Sequence, residues 1–257
     1  MDRVTIAALH EMKRHGQKIV GVVAWDFQMA QIADRAGVEI ISVGDSVGVN
    51  LWGHTDPLEI TMDEMIVVCK AVRRGTSRAI VSCDFPFGPL QEGVDSAVRA
   101  AIRFVEEGGA EIVKLDGAAD CPEAITAIVR AGIPVFAQLE NPQAPENVIS
   151  KLVDDAKRLE DAGASLLDFK YSGPVAGPAV VNAVSIPVLG GMGGGPWLDG
   201  RIRMAHAAIG YAASALESKT ESYANVAQIA LDAVTAYAGD VRAGRQIKGG
   251  IPVKAQS

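Results

Sequence analysis

The sequence predicts an α/β fold, specifically a single-domain (β/α)8 barrel, and three observations lead there. Short apolar runs rich in β-branched residues alternate with stretches of helical periodicity along the whole chain. Four of those runs end on an ionisable residue: Glu39 to Val43 closes on Gly44-Asp45-Ser46, Ala79 to Cys83 on Asp84, Ile112 to Leu115 on Asp116, and Leu166 to Phe169 on Lys170. The length, 257 residues, suits one barrel of this kind. Strands covered by helices on both sides read as unbroken apolar runs, and a barrel gathers their C-terminal ends into one mouth, where a shared site is expected. Alternating units of this sort also permit a doubly wound sheet. A repeated punctuation favours the barrel: Ala36-Gly37-Val38, Gly108-Gly109-Ala110, Ala131-Gly132-Ile133 and Ala162-Gly163-Ala164 each join a helix to a strand.

Residues 1–17 open with Ile6, Leu9 and Met12 at helical spacing, a short helix suited to plug the N-terminal end of the barrel. The barrel is expected over residues 18–215. Ile19 to Ala24 is the first strand, and Phe27 to Ala36 a helix closed by Gly37. After the strand ending at Asp45, the segment Val47 to Ile60 lacks periodicity and is expected as a loop over the mouth. Thr61-Met62-Asp63-Glu64 has the form of a capping box, starting a helix that runs to about Arg74. The strand ending at Asp84 leads to a helix over Val94 to Glu107, and the strand ending at Asp116 to a helix that begins at Pro122. Val135 to Gln138, Leu166 to Phe169 and Ile186 to Leu189 are the next strands, separated by helices over Ile149 to Ala162 and Pro178 to Val184. Gly190 to Pro196 lacks the Lys-Ser or Lys-Thr of a Walker loop, so it reads either as an anion cradle or as a tight turn. Arg201 to Tyr211 holds the eighth unit in degenerate form. Residues 216–257 supply a long amphipathic helix over Ser222 to Gly244 and a loose tail from Lys248.

With 49% hydrophobic and 21% charged residues the composition is that of a globular protein, and a net charge of −7 argues against non-specific binding to nucleic acid or anionic membrane. No apolar run reaches the roughly 18 residues of a membrane span, and no basic region with an apolar core follows Met1, so a cytoplasmic protein is expected. Cys69, Cys83 and Cys121 lack metal-type spacing and are expected as buried reduced thiols; Cys83 beside Asp84 has no adjacent His to make it a nucleophile. His54 and His206 lack partners at ligand spacing and read as structural.

Asp45, Asp84 and Asp116 come from three different strands, so no local helix spacing explains them. Hard oxygen donors in a polar mouth suit Mg²⁺, which takes one or two carboxylates and leaves positions for substrate oxygens. A 2-oxo acid chelated there through carboxylate and ketone would form a stabilised enolate at the next carbon, the logic of aldol-type carbon–carbon chemistry. The bland alternative is that each Asp begins a turn or caps a helix. Lys114 shares a strand face with Asp116, where its cation would neutralise crowded carboxylates or bind a substrate carboxylate. Lys170 shares a face with Asp168 and reads either as a base or Schiff-base lysine or as the ion-pair partner of Asp168 or Asp116.

The residues Val23-Ala24-Trp25-Asp26, Val43-Gly44-Asp45-Ser46-Val47-Gly48, Gly53-His54, Ile60 to Met65, Ala71 to Gly75, Asp84-Phe85-Pro86-Phe87-Gly88, Val113 to Gly117 and Asp199-Gly200-Arg201, in that order, resemble the ketopantoate hydroxymethyltransferase family within the phosphoenolpyruvate mutase and isocitrate lyase group. The resemblance spans Val4 to about Tyr211. It implies a (β/α)8 barrel, Mg²⁺, a homo-oligomer, and transfer of a hydroxymethyl group from 5,10-methylenetetrahydrofolate to 3-methyl-2-oxobutanoate in pantothenate synthesis. It also implies that Asp45 and Asp84 ligate the metal, and that Ser46 and Lys114 contact substrate. The chain departs from the family pattern at four places. Asp116 stands for a Glu, Gln138 for a His that would face the substrate, and Lys170 for the Glu that serves as general base. The segment after the fifth strand is shortened to Glu140 through Asn147.

Three readings follow. The first is an Mg²⁺-dependent hydroxymethyltransferase or related aldol-type enzyme acting on a 2-oxo acid, with Asp45, Asp84 and Asp116 at the metal, Asp45, Ser46, Lys114 and Gln138 at the substrate, and Lys114 and Lys170 as catalytic residues. The second is a carbon–carbon lyase acting on a 2-hydroxy or 2-oxo dicarboxylate, with Lys170 receiving the second carboxylate. The third is a ligand-binding barrel without turnover.

Overall fold

The computed structural model describes residues 2–141, 148–218 and 220–249. By their internal contacts the residues form two compact units, Met1–Ala205 and His206–Ser257. The first is a closed barrel of eight parallel strands in sequence order: β1 (Ile19–Val23), β2 (Ile40–Val43), β3 (Ile80–Asp84), β4 (Ile112–Leu115), β5 (Val135–Glu140), β6 (Leu166–Lys170), β7 (Val188–Gly190) and β8 (Gly200–Met204), with β8 pairing back onto β1. The doubly wound alternative is thereby excluded.

The helices form where the sequence signals them. α1 (Ile6–Arg14) is capped by the Thr5 hydroxyl, which accepts from the Ala8 N–H. α2 (Phe27–Ala36) is capped by Asp26 and closed by Gly37 in the left-handed region. α3 (Val47–Asn50) is a single turn, and α4 (Met62–Gly75) opens on the Thr61–Glu64 capping box. α5 (Val94–Arg103), α6 (Pro122–Arg130), α7 (Ile149–Asp161) and α8 (Ala176–Ala183) complete the outer layer.

Side chains alternate along each strand, so one parity packs against the helices and the other fills the barrel. At the N-terminal end the inward residues are apolar: Ile19, Ile40, Ile80, Ile112, Phe136, Leu166, Leu189 and Ile202 form one cluster, into which α1 inserts the fully buried Leu9. That is the expected plug. Its polar rim holds it in place. Lys13 donates to the Val181 and Ile186 carbonyls and pairs with Asp199 at 3.0 Å, while His10 Nε2 lies 2.9 Å from the Ser165 carbonyl. Higher in the barrel the inward positions turn polar, with Ser42, Ser82, Asp84, Lys114, Gln138 and Asp168 all buried. The residues between them face outward; Cys83 of β3 packs beneath Cys69 of α4, and Cys69 lies so close to Gly108 that a Cβ there would stand 3.2 Å from its sulfur.

Some boundaries differ from the sequence reading. The helix expected over Val94 to Glu107 ends at Arg103 and continues as a π-turn over Phe104–Gly108. The strand expected from Ile186 starts at Val188, because Pro187 offers no N–H and the Ile186 N–H is spent on Glu160. α8 starts at Ala176, which places Pro178 in its first turn. Val47 to Ile60 is built rather than irregular: α3 is followed by a 3₁₀ turn over Pro57–Glu59 held by an Asp56–Glu59 capping box. The shortened segment after β5 lies largely outside the described residues, as does the end of the tail.

In the second unit, α9 (Ala205–Ile209) begins one residue before its boundary, and α10 (Val226–Arg242) is capped by Asn225, whose side chain accepts from the Gln228 N–H. That cap starts the helix four residues after the expected Ser222. Among the described residues no helix is long and apolar enough to cross a membrane.

Candidate active site

Alternation on β3 and β4 and the register Asp84↔Lys114 bring the polar residues together at the C-terminal end of the barrel. Asp84 is fixed from both sides: Ser42 Oγ donates to Oδ1 at 3.0 Å and Lys114 Nζ to Oδ2 at 2.9 Å. Lys114 also donates to Asp116 Oδ1 at 2.9 Å and faces Asp168 Oδ2 at 3.6 Å. Asp116 in turn accepts from Lys170 Nζ at 3.0 Å. The second oxygen of Asp168 accepts from the Gly191 N–H at 3.0 Å. The result is a continuous chain of ion pairs from β3 to β6.

Charge and burial act differently on each member. Burial opposes the charge on Lys114, yet Asp84, Asp116 and Asp168 hold its pKa well above the ordinary lysine value. Asp116 is also desolvated, but the two lysines hold it down at about 2. Asp84 is pushed up to about 7, by burial first and then by Asp116 and Asp45, against the pull of Lys114. Asp45 is raised by burial and by Asp116, and drawn back by Lys114, Lys170 and the Ser46 N–H. The mouth therefore holds more negative charge than its two ammonium groups balance.

Asp84, Lys114, Asp116 and Lys170 are thus joined directly, and Asp45 through its field. Ser46 precedes α3 beside Gly44, and Gln138 lies buried on β5 with its Oε1 unpartnered; neither hydrogen-bonds to the ion-pair chain among the described residues. Sequence reading did not single out Ser42, which orients Asp84, or Ser82, whose buried Oγ lacks a partner among the described residues. Their signal was present: each serine interrupts an all-buried strand at the inward parity. Cys83 is no nucleophile. It faces the helices, and burial together with Cys69 pushes its thiol well up. In the glycine-rich turn, the Gly191 and Gly194 carbonyls accept from Arg201 and Gly193 packs on Tyr171, so its backbone serves a tight turn.

Among the described residues no three His, Cys, Asp or Glu side chains stand arranged around a common metal position. The chemistry of the donor set nevertheless fits a hard divalent cation: the carboxylates of Asp45, Asp84 and Asp116 crowd one another, and those of Asp84 and Asp116 are at present engaged by Lys114 and Lys170.

A closed parallel barrel with buried acids and lysines at the carboxyl ends of its strands defines an α/β-barrel enzyme architecture. The family model for ketopantoate hydroxymethyltransferase matches residues 3–246, and the chain belongs to that enzyme family. It is 36% identical over 255 residues to the 3-methyl-2-oxobutanoate hydroxymethyltransferase of Cytophaga hutchinsonii, covering 94% of this chain and 93% of the relative. The enzymes of that name from Salinibacter ruber and Carboxydothermus hydrogenoformans are 36% and 34% identical, covering 94% of this chain in each case and 96% and 92% of the relatives. Among solved structures, 2,3-dimethylmalate lyase, a member of the phosphoenolpyruvate mutase/isocitrate lyase superfamily, has the same fold with a TM-score of 0.62 at 16% identity, covering 96% of this chain and 92% of that one. Phosphonopyruvate hydrolase in complex with oxalate and Mg²⁺ has a TM-score of 0.63 at 15% identity, covering 98% of this chain and 92% of that one.

Proposed function

We propose that this enzyme transfers a hydroxymethyl group to a 2-oxo acid, 3-methyl-2-oxobutanoate or an analogue, through an enolate formed at the carbon next to the ketone. The observation that carries the reading is the excess of buried carboxylate at the mouth, with Asp84 pushed up to about 7 where a lysine already pairs with it. Asp45, Asp84 and Asp116 would hold Mg²⁺, in keeping with the Mg²⁺ bound by phosphonopyruvate hydrolase. Such an ion, when bound, withdraws charge from a chelated carbonyl and lowers the energy of the adjacent carbanion.

The remaining work falls to the chain's own residues. Ser42 and Lys114 keep the Asp84 carboxylate in one orientation. Lys114 holds Asp84, Asp116 and Asp168 together against their repulsion, and contacts the substrate in this reading. Ser46, beside Asp45, donates to the substrate carboxylate, and Gln138, buried on β5, borders the bound acid. Lys170, at the β6 end of the ion-pair chain, either shuttles the proton at the substrate or binds a different substituent of it. The resemblance to the family implies, further, 5,10-methylenetetrahydrofolate as the one-carbon donor, a cytoplasmic setting and a homo-oligomer as the active form.

The test is exchange of C3 protons for deuterium in Mg²⁺, followed by NMR, on a panel containing 3-methyl-2-oxobutanoate and pyruvate. It requires no folate. Exchange with at least one acid that vanishes in Asp84→Ala is expected; a panel without any exchange would sink the enolate reading.

A further inference from the structure

The two lysines of the mouth differ in what they have left to give. Lys114 is 7% exposed; its ammonium donates to Asp84 and Asp116 at 2.9 Å each and faces a third carboxylate, Asp168, at 3.6 Å. Ringed by three acids, it has less to offer an added anion than Lys170 has. Lys170 is 22% exposed and, among the described residues, pairs with Asp116 alone. Among the described residues two of its three donors are uncommitted. Glu140, its register neighbour on β5, is exposed and forms no ion pair with it among the described residues. Asp168 below has both oxygens engaged, by Gly191 and Lys114. Gln138 on the same side of the mouth is neutral.

The three acids of the candidate metal set are gathered on one side of the ring, with Lys114 among them, and Lys170 reaches the nearest of them, Asp116, from β6. Asp45, Asp84 and Asp116 stand at the ends of β2, β3 and β4, whereas Lys170 ends β6, and in a closed ring of eight strands β6 lies opposite β2. A 2-oxo acid whose head is held on the carboxylate side therefore directs its far end toward β6. We propose that Lys170 is an anion anchor for that far end, and that the substrate is a 2-oxo acid bearing a second carboxylate. This rests on the 2-oxo acid reading given above and moves its substrate from 3-methyl-2-oxobutanoate to an analogue with a second carboxylate.

The experiment is calorimetric binding to the full-length protein in Mg²⁺. Chain-matched pairs are compared: oxaloacetate with 2-oxobutanoate, and 2-oxoglutarate with 2-oxopentanoate. At least one diacid should bind roughly 10- to 100-fold more tightly than its monoacid, the range for a charge-assisted hydrogen bond at a desolvated site. Lys170→Met should bring that ratio close to one, and Lys170→Arg should retain it; Asp116 keeps its Lys114 partner in both variants, so the mouth is not left unbalanced. A ratio near one in the unaltered protein, or one that survives Lys170→Met, overturns the proposal. So does a borohydride-reduced adduct of a 2-oxo acid on Lys170, which would make it a Schiff-base lysine. A diacid preference without C3 exchange would uphold the anchor and reject the enolate reading, while exchange without a diacid preference would do the reverse.

Discussion

Lys114→Met isolates what the buried cation contributes. The substitution keeps an unbranched side chain of similar length and removes one ammonium from Asp84 and Asp116, each at 2.9 Å, and from Asp168 at 3.6 Å. Taking one partner from a buried pair costs about 3–5 kcal/mol, because the charge left behind has neither water nor counter-ion. In a domain of this size each kcal/mol displaces Tm by about 2–4 °C, so the metal-free variant should melt about 6–20 °C lower at pH 8. The pH dependence follows from the shifts. Asp116, held at about 2 by the lysines against the effect of burial, has a folded pKa below its unfolded one. Its contribution is present above about pH 4 and disappears as the pH falls through the folded value. Lys114 is raised, so its contribution is complete below about pH 10.4 and disappears above. Asp84 runs the other way: burial raises it to about 7, so the stability tied to its protonated form is present below about pH 4 and lost as the pH rises toward 7. Loss of Lys114, which draws that pKa down, enlarges this second loss. The difference between variant and unaltered protein should therefore be large at pH 8 and smaller at pH 4, measured by thermal denaturation with a chelator present. Equal melting at pH 8, or the same deficit at both pH values, would refute the assignment of the network to Lys114.

Two further substitutions probe the scaffold under the site. Leu9→Ala empties the plug at the fully buried base of the barrel and should cost about 2–5 kcal/mol in chemical denaturation; a smaller loss would mean that the surrounding isoleucines close the gap. Gly75→Ala places a Cβ 2.5 Å from the Phe27 carbonyl and 2.9 Å from the Ala30 side chain, so α2 and α4 must separate, at about 1–3 kcal/mol, and unchanged stability would contradict that close approach.

The site was legible where ionisable residues stood out against apolar strands. Asp45, Asp84, Asp116 and Lys170 were visible because each closes an otherwise apolar run on an ionisable group. What a single chain could not show is who meets whom. Asp84 and Lys114 are 30 residues apart and meet through the β3–β4 register; Asp116 and Lys170 are 54 apart and meet across the mouth. Ser42 was hidden for a different reason: a serine in a strand is unremarkable until the inward parity is known. α4 gave its start through its capping box and α2 its end through Gly37, but the π-turn at Phe104–Gly108 has the same residue pattern as a continuing α-helix. The barrel itself rested on repetition of the unit, and its closure by β8, the least regular unit in sequence, became apparent through pairing with β1.

The seam between α4 and β3 extends the reach of the active site into the outer wall. Cys83 is locked under Cys69, and the adjoining peptide unit carries Asp84 into the mouth. Packed interiors pass on small displacements instead of absorbing them, so a methyl group gained or lost at Cys69 moves the carboxylate without any change in the mouth's own composition. Altered selectivity can therefore originate from a position that never meets a ligand, and comparisons restricted to pocket-lining residues would overlook it.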